Sequence, residues 1–280
     1  MTDDREVPAP TTDTAARGHA ERCAAFRALH VPGRPLLLPN AWDHASAAAL
    51  AARGHPAVGT TSLGVAAAAG LPDGVGATRE ETLGLARLLR DVPVLLTVDV
   101  EGGFDDDPAQ VAAYVAELAG VGVVGVNLED GRADGGLADP ALVAATIRAV
   151  KVAVPALFVN ARTDAWWLGV PEPLPEALRR ARTFREAGAD GIFVPGVPDP
   201  ETVGLLAAEV GAPLNVLYRP GGPGLAELGR LGVARVSTGS LPYRAALGAA
   251  LAVVDAVAAG DAGAGSAAPS YAEVQGLAVR

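Results

Sequence analysis

Acidic and basic side chains stand at the ends of several short apolar runs in this 280-residue chain. Asp99 and Glu101 close the run Leu-Leu-Thr-Val-Asp-Val-Glu, Glu129 closes Gly-Val-Asn-Leu-Glu, and Arg162 closes Phe-Val-Asn-Ala-Arg. Because Asp99 and Glu101 are two residues apart, a strand would point both to the same side. Carboxylates gathered at one place repel one another unless a cation joins them, and oxygen ligands suit Mg²⁺ or Mn²⁺. The pattern predicts a divalent-metal site, with Arg162 as a fork for a substrate carboxylate.

Each of these side chains also has a structural interpretation. Asp99 or Glu101 alone could cap a helix or pair with an arginine. Glu129 could be the ion-pair partner of Arg162, which is compatible with a metal role through a bound water. Asp73 lies in Leu-Pro-Asp-Gly, which is typical of a turn. Only the strand-end residues are therefore predicted from their positions to form a site.

Eight short apolar runs alternate with helical stretches along the chain, which predicts an α/β fold. The runs are continuous rather than alternating, as in a parallel sheet covered by helices. Several helical stretches open with a capping residue and proline, as at Asp107-Pro108 and Asp139-Pro140. Eight repeats are the count of a (β/α)8 TIM barrel, and the alternative is a doubly wound open sheet. The runs are 35–40, 57–62, 93–100, 121–130, 156–163, 191–196, 213–218 and 235–239.

A single barrel domain accounts for most of the length. We predict a flexible polar segment over 1–18, a barrel over 19–259 and a C-terminal tail over 260–280. The tail is either a linker followed by a short docking helix or disordered. In such a barrel the active site lies at the C-terminal ends of the strands, where the predicted site residues fall.

The charge balance limits the partners of this protein. The chain carries 22 Lys and Arg against 32 Asp and Glu, a net charge of -10. With no basic cluster, neither nucleic acid nor an anionic membrane is an expected partner. The N-terminus is unlike a secretory signal peptide, and the apolar stretch 245–260 is interrupted by Asp255 and too short to span a bilayer. We expect a soluble, cytoplasmic protein.

Scarce residue types exclude further chemistry. Lys151 is the only lysine and falls before the fifth strand, at the end of the barrel opposite the active site, which argues against a Schiff-base aldolase. Cys23 is the only cysteine, so neither an intrachain disulfide nor a cysteine metal cluster is possible. The four histidines all precede the third run without a His-x-x-x-His pair, so a histidine-ligated zinc is not expected.

Taken in order, the strand ends resemble the isocitrate lyase / phosphoenolpyruvate mutase superfamily, in its short-chain branch. The resemblance spans residues 35–245. The matching segments are Leu-Pro-Asn-Ala-Trp-Asp (38–43), Gly-Thr-Thr-Ser-Leu-Gly-Val-Ala-Ala-Ala-Ala-Gly-Leu-Pro-Asp-Gly (59–74), Thr-Val-Asp-Val-Glu-Gly-Gly-Phe (97–104), Gly-Val-Asn-Leu-Glu-Asp (125–130), Asn-Ala-Arg-Thr-Asp (160–164) and Ala-Gly-Ala-Asp-Gly-Ile-Phe-Val-Pro-Gly (187–196).

The resemblance implies a role for each site residue. Asp99 would coordinate Mg²⁺ or Mn²⁺ directly, and Glu101 and Glu129 would hold waters of the ion. Asp73, a turn residue by its local sequence, would be a catalytic aspartate of the metal site. The catalytic residues implied are Asp73, Glu129 and Arg162, and the substrate-binding residues implied are Trp42, Ser62, Leu63, Gly64, Arg162 and Asn215.

Members of this superfamily cleave or form a carbon–carbon or phosphorus–carbon bond beside a 2-oxo or 2-hydroxy acid. The resemblance implies a Mg²⁺-dependent lyase or hydrolase that acts on a small carboxylic or dicarboxylic acid through a metal-stabilised enolate. It also implies a homodimer or homotetramer, often with the C-terminal helix swapped between subunits.

Two departures from the family pattern bear on the reaction. Isocitrate and methylisocitrate lyases carry Lys-x-Cys-Gly-His after the fourth strand, whereas residues 131–137 here read Gly-Arg-Ala-Asp-Gly-Gly-Leu, with Arg132 as the only cation. Phosphoenolpyruvate mutases carry a histidine after the sixth strand, where this chain has Pro195-Gly196. Both departures argue against those activities.

Three alternatives stay open. The first is a phosphoenolpyruvate or carboxyphosphonate mutase-type enzyme. The second is a barrel that binds a phosphate-bearing ligand, since Arg-Pro-Gly-Gly-Pro-Gly (219–224) and Ser-Thr-Gly-Ser (237–240) follow the last two strands. The third is a non-catalytic descendant.

Overall fold

The computed structural model describes residues 12–278, with side chains described from residue 17. Nine parallel strands form one sheet in the order β1-β9-β8-β7-β6-β5-β4-β3-β2. The strands are β1 (Leu36–Leu38), β2 (Asn40–Ala41), β3 (Ala57–Thr60), β4 (Leu95–Asp99), β5 (Gly125–Glu129), β6 (Phe158–Arg162), β7 (Gly191–Val194), β8 (Leu214–Leu217) and β9 (Arg235–Ser237). The helices are α1 (Thr12–Ala28), α2 (His44–Ala52), α3 (Ser62–Ala69), α4 (Arg79–Leu88), α5 (Pro108–Gly120), α6 (Pro140–Ala153), α7 (Pro173–Glu186), α8 (Pro200–Glu209), α9 (Leu225–Arg230), α10 (Leu241–Ala258) and α11 (Tyr271–Gln275).

The sheet curls into a nearly closed barrel, which confirms the predicted (β/α)8 architecture. β1 and β2 are two parts of the first predicted strand, and they are separated by Pro39, which has no N–H to donate. β1 pairs with β9 and β2 pairs with β3, so this divided strand joins the two edges of the sheet.

Asn40 ties the two edges together. Its Nδ2 donates to the carbonyl oxygen of Thr60 at 2.6 Å, on the β3 side. Its Oδ1 accepts from the amides of Thr238 at 3.1 Å and Gly239 at 2.8 Å, on the β9 side. One buried amide side chain therefore satisfies backbone groups on both sides of the closure.

The predicted helix starts are largely confirmed. Asp107, Asp139 and Asp199 precede prolines, and their carboxylates accept from amides in the first turns of α5, α6 and α8. Thr78 precedes α4 but makes no capping bond, because its hydroxyl donates to Glu101 instead. Sequence analysis missed α3, a helix that begins directly after β3 at Ser62.

α1 closes the N-terminal end of the barrel. Its Phe26 contacts Phe158 edge-to-face, with ring centroids 5.4 Å apart. His30, just after the helix, stacks on the same ring with centroids 4.2 Å apart. The opposite end of the barrel stays open. Residues 1–11 of the predicted flexible segment lie outside the described residues, and α1 begins within that segment.

α10 projects a largely apolar surface. None of its 18 residues is buried, and Leu247, Leu251, Val254 and Val257 are each more than half exposed. By length and composition alone it could cross a membrane, a test that core helices also pass. The helix begins four residues before the apolar stretch 245–260 for which we predicted too short a length, and it includes Arg244 and Asp255. α11 lies in the predicted tail.

Candidate active site

An open cavity of about 280 Å³ occupies the C-terminal end of the barrel. It receives side chains from the ends of the strands and the loops that follow them, as the fold predicts. Six of the predicted site residues line it, and four do not. Those lining it are Ser62, Leu63, Asp73, Asp99, Glu129 and Arg162, and the other four are Trp42, Gly64, Glu101 and Asn215.

Asp99 is the last residue of β4, and its carboxylate faces other carboxylates. Its amide donates to Thr60 Oγ1 at 2.9 Å, which fixes the end of the strand. Its Oδ1 accepts only a long bond, 3.3 Å, from the amide of Glu101. The pKa of Asp99 is raised to about 6, chiefly by burial. The positive charge of Arg162 lowers this pKa, and the negative charges of Glu101 and Asp73 raise it. A cation in the cavity would relieve this repulsion.

Glu129 and Arg162 form the centre of a buried ion-pair network. They are register partners on β5 and β6, which places their side chains next to each other. Arg162 Nη1 lies 2.6 Å from Glu129 Oε2, and Arg162 Nε lies 2.7 Å from Asp164 Oδ1. The fork predicted to bind a substrate carboxylate is therefore already occupied by two carboxylates. Among the described residues Nη2 has no partner, so that nitrogen is the one open to a substrate oxygen.

Burial and charge act against each other within this network. Burial raises the pKa of Glu129 well above its ordinary value, and the positive charge of Arg162 only partly offsets that effect. Burial lowers the pKa of Arg162, but the carboxylates of Glu129, Asp164 and Asp99 outweigh it, so the net change is upward. The guanidinium thus stays charged beside the cavity.

Glu101 does not share a strand face with Asp99, contrary to the prediction. β4 ends at Asp99, and Glu101 lies in the following turn with a left-handed φ of 48°. Its carboxylate is buried and accepts from the amide of Gly76 at 2.8 Å and from Thr78 Oγ1 at 2.9 Å. Glu101 therefore anchors the loop between α3 and α4, which carries Asp73. Its implied metal role stays a prediction.

Asp73 is exposed on that loop and lines the cavity. This position agrees with the resemblance, whereas the local turn sequence gave no indication of a site. Within the described residues no three acidic, histidine or cysteine side chains are close enough to enclose an ion. Mg²⁺ commonly takes only one or two protein carboxylates and completes its octahedron with waters and substrate oxygens. The donors at this mouth, Asp99 with a free carboxylate oxygen beside Glu129, fit such an ion.

The first turn of α3 offers backbone amides to the cavity. Thr61 is the N-cap but makes no side-chain capping bond, so the first amides have no acceptor within the helix. Ser62 and Leu63 line the cavity at this positive helix end. Gly64 lies behind them, where a Cβ would come within 3.0 Å of Trp42 Cβ.

Trp42 is not among the residues that line the cavity, and its implied role in substrate binding stays a prediction. Its ring packs edge-to-face on Tyr243 of α10, with centroids 5.4 Å apart. Trp42 thus supports α3 from behind and joins it to the first turn of α10.

A polar layer that sequence analysis missed lies beneath the cavity. Arg235, fully buried on β9, donates through Nη2 to Asn127 Oδ1 at 3.1 Å and through Nε to Ser237 Oγ at 3.0 Å. Burial lowers the pKa of Arg235 to about 9. Asn215 belongs to this layer, where its Oδ1 accepts from Ser237 Oγ at 3.2 Å, so it lies below the cavity that it was predicted to line. The only sequence signal was an arginine inside an apolar strand.

The two loops that suggested a phosphate site, 219–224 and 237–240, donate hydrogen bonds to other parts of the protein. The amides of Thr238 and Gly239 donate to Asn40, and Arg219 Nη2 donates to the carbonyl oxygen of Pro198. Arg132, in the loop after β5, pairs with Asp106 in the loop after β4 at 2.5 Å. This pair lies at the rim of the cavity.

Together, the fold and this site define a (β/α)8 barrel whose open mouth combines carboxylates, an arginine and helix-terminal amides. The family model described as phosphoenolpyruvate phosphomutase matches residues 26–258. The chain therefore belongs to this family and to the isocitrate lyase / phosphoenolpyruvate mutase superfamily, as the motifs predicted.

Relatives and solved structures agree with this assignment. An uncharacterized protein of Mycobacterium tuberculosis is 46% identical, over 85% of this chain and 90% of its own length. The 2-methylisocitrate lyase of Halalkalibacterium halodurans is 31% identical, over 71% of this chain and 68% of its own. A structure of a phosphonomutase candidate from Burkholderia cenocepacia J2315 is 38% identical, with a TM-score of 0.80 over 84% of this chain and 99% of that one.

Magnesium occurs within the same fold. A phosphonopyruvate hydrolase solved with oxalate and Mg²⁺ has a TM-score of 0.80 over 91% of this chain and 94% of its own. At 23% identity that likeness concerns the fold alone.

Proposed function

We propose that this chain is a Mg²⁺-dependent lyase or hydrolase that cleaves a carbon–carbon bond of a small 2-oxo or 2-hydroxy carboxylic acid. One observation carries the proposal: Asp99, the first residues of α3 (Ser62 and Leu63) and Arg162 line one cavity. Cation ligands therefore lie beside donors for an anion. Mn²⁺ is the alternative ion, because it takes the same oxygen ligands.

Asp99 would hold the metal directly, and Glu101 and Glu129 would hold its waters. When bound, Mg²⁺ supplies a Lewis acid that stabilises negative charge developing on the substrate oxygens. The amides of Ser62 and Leu63 bind the substrate carboxylate at the N-terminus of α3. The carboxylate of the substrate would thus lie between the metal ion and the positive N-terminal end of α3.

Cleavage moves one proton and one electron pair. The hydroxyl next to the breaking bond loses its proton and becomes a carbonyl. In a 4-hydroxy-2-oxo acid the electron pair of that bond passes to the 2-oxo acid fragment. In a 2-hydroxy acid the new carbonyl belongs to the 2-oxo acid fragment, and the pair passes to the other fragment, whose carboxylate or carbonyl accepts the charge. The proton then goes to the carbon that gained the pair. Asp73 lines the cavity and makes no ion pair within the described residues, so we assign it as the base that takes the proton. Arg162 Nη2 donates to an oxygen of the fragment that gains the charge.

Cleavage of a phosphorus–carbon bond is the second candidate, favoured by the likeness to the Burkholderia phosphonomutase candidate. Pro195 lines the cavity where a mutase would carry histidine, which places this candidate second. Methylisocitrate cleavage is disfavoured because residues 131–137 contain no lysine, cysteine or histidine.

A substrate panel tests the proposal. Oxaloacetate, 2,3-dimethylmalate, isocitrate and phosphonopyruvate are incubated with the protein and Mg²⁺, and the release of pyruvate, glyoxylate or oxalate is followed. Release that is lost with a chelator and in Asp99→Ala is expected. Preferential turnover of phosphonopyruvate would favour the second candidate. Absence of Mg²⁺ and Mn²⁺ binding to the wild-type protein in calorimetry would support a non-catalytic descendant and overturn the proposal.

We also propose a cytoplasmic homo-oligomer in which α10 packs on a second copy of the chain, with the helix exchanged between subunits. Leu247, Leu251 and Val254 lie on one stripe of α10 and are exposed in the single chain, so association would remove them from water. Light scattering after size exclusion tests this, with Leu251→Arg plus Val254→Arg expected to give monomers. Val152→Arg, on an exposed position of α6, is the control. A monomeric wild-type protein, or one that partitions into lipid vesicles, would contradict the proposal.

A further inference from the structure

The charges of the cavity are confined to one side of the barrel mouth. Within the part of the chain that the structure describes, every charged residue that lines the cavity ends or follows one of the strands β3 to β6. The lining residues from β7 and β8 and their loops are all apolar. The charged set is Asp73, Asp99, Glu129, Arg132, Arg162 and Asp164, and the apolar wall comprises Phe193, Pro195 and Leu217. Trp167 and Leu168, from the loop after β6, extend this wall to the rim.

The apolar wall begins directly beside the charged side. Phe193 is the register partner of Arg162, and its ring centroid lies 5.6 Å from the guanidinium carbon. A substrate held by Arg162 would therefore contact Phe193 with its next substituent. Leu217 is held in place by Gly239, where a Cβ would come within 2.7 Å of Leu217 Cδ1. Trp167 is 59% exposed at the rim, so the wall remains open to a ligand.

Among the described residues, the two cations that line the cavity, Arg132 and Arg162, lie on the charged side and are paired with carboxylates. Arg219, which follows β8, lies outside the cavity and donates to the carbonyl oxygen of Pro198. Arg235 does not reach the cavity surface, because it is fully buried below the floor, where Nη2 and Nε donate to Asn127 and Ser237 and Nη1 has no partner among the described residues. A carboxylate placed against Phe193 and Leu217 would lose water without gaining a charged partner, which is costly.

We propose that the substrate is a 2-oxo acid that carries a hydroxyl beside the bond that breaks, with its one carboxylate at the charged side and an alkyl or aryl group against the apolar wall. The proposal rests on the function proposed above and adds the substrate class. The charged side sets the reaction, and the wall of Phe193, Pro195 and Leu217 selects an apolar substituent over a second acid group.

Two five-carbon-chain 2-oxo acids separate the alternatives. In the presence of Mg²⁺, calorimetry compares 4-methyl-2-oxopentanoate, which ends in an isopropyl group, with 2-oxoglutarate, which ends in a carboxylate. We expect the branched acid to bind at least about tenfold more tightly, because its end group leaves water for an apolar surface. Oxalate is too short to reach the apolar wall, so its affinity in the presence of Mg²⁺ reports on the charged side alone.

The outcomes distinguish the two proposals. If oxalate does not bind with Mg²⁺, the proposed function fails. If oxalate binds but 2-oxoglutarate binds as tightly as the branched acid, the function stands and the apolar selectivity is wrong.

Leu217→Ser adds a test within the chain. It should reduce affinity for the branched acid about tenfold and leave oxalate affinity within about twofold. Leu205→Ser, on the exposed face of α8, is the matched control and should change neither. A Leu217→Ser protein that keeps the full preference for the branched acid would also overturn the selectivity.

Discussion

Arg162 and Glu129 are register partners on neighbouring strands, and their side chains meet at 2.6 Å beside the cavity. The pair gives the arginine a fixed orientation before any ligand arrives. Because Nε is held by Asp164 as well, Nη2 is the guanidinium nitrogen left without a partner among the described residues. The positive charge of the site is thus oriented in advance, which is a condition for electrostatic stabilisation of a reacting group.

Replacing Arg162 with lysine should remove this orientation. A single ammonium cannot join Glu129 and Asp164 through separate nitrogens and still donate to a substrate. We expect kcat/KM of Arg162→Lys to fall at least about 100-fold, measured by steady-state kinetics on the substrate that the panel identifies. Arg179→Lys, at an exposed arginine that pairs with Glu176, is the control. Activity of Arg162→Lys close to that of the wild type would contradict this role.

Replacing Asp99 with asparagine should abolish Mg²⁺ binding without lowering the stability of the fold. In Asp99→Asn the heat of Mg²⁺ binding should disappear in calorimetry, because the charged ligand is lost. Without metal, Tm should be unchanged or higher, since a buried carboxylate no longer faces Glu101 and Asp73. Unaltered Mg²⁺ affinity in this variant would remove Asp99 from the metal site.

Glu101→Ala should release the loop that carries Asp73. The variant leaves the amide of Gly76 and the hydroxyl of Thr78 without their acceptor. Thr78 is fully buried, so its unpaired hydroxyl costs about 1–3 kcal/mol, whereas the exposed Gly76 amide can turn to water. We expect faster proteolysis between residues 70 and 78 and lower turnover. Glu117→Ala, which removes an exposed partner of Arg87, should leave the cleavage pattern unchanged. Equal protection of the loop in both variants would rule out the anchoring role.

His30 should make the fold sensitive to acid. Its pKa is lowered from 6.5 to about 3, chiefly by burial and also by the charge of Arg235. The unfolded chain therefore binds a proton that the folded chain excludes, so the free energy of unfolding falls as the pH drops below 6.5. The slope from this group approaches about 1.4 kcal/mol per pH unit until the pH nears the folded-state value.

His30→Phe should remove that part of the slope. Urea unfolding of wild type and variant at several pH values between 4.5 and 6.5 measures the difference. His55→Gln serves as a histidine control. Parallel curves for wild type and His30→Phe would show that the histidine does not contribute.

Local sequence predicts the strands, the Asp-Pro helix starts and the site residues that end strands, because these depend on neighbours along the chain. The geometry of Glu101 was not predictable in this way, since strand parity ends where β4 ends and a left-handed residue follows. Asp73 has a turn-like sequence, and only the resemblance pointed to the cavity. The contact of Arg235 with Asn127 joins residues 108 positions apart, so no local pattern contains it.

The occupied fork of Arg162 is a further limit of sequence reasoning. The residue type predicts affinity for a carboxylate, but not whether the protein or the substrate supplies it. Asp164 is two positions from Arg162 and could have been foreseen as a partner, whereas Glu129 required knowledge of the strand register.

The hydrogen bonds of Asn40 also determine when the barrel can close while the chain is being synthesised. Its acceptors and donors include Thr238 and Gly239, which are 198 and 199 residues away. During translation the first strand leaves the ribosome long before these residues exist, and its β9-facing edge must wait for them. The barrel mouth therefore assembles only when more than four-fifths of the chain has been made. Ribosome-bound chains that stop before β9 should have an unpaired sheet edge to which chaperones can bind.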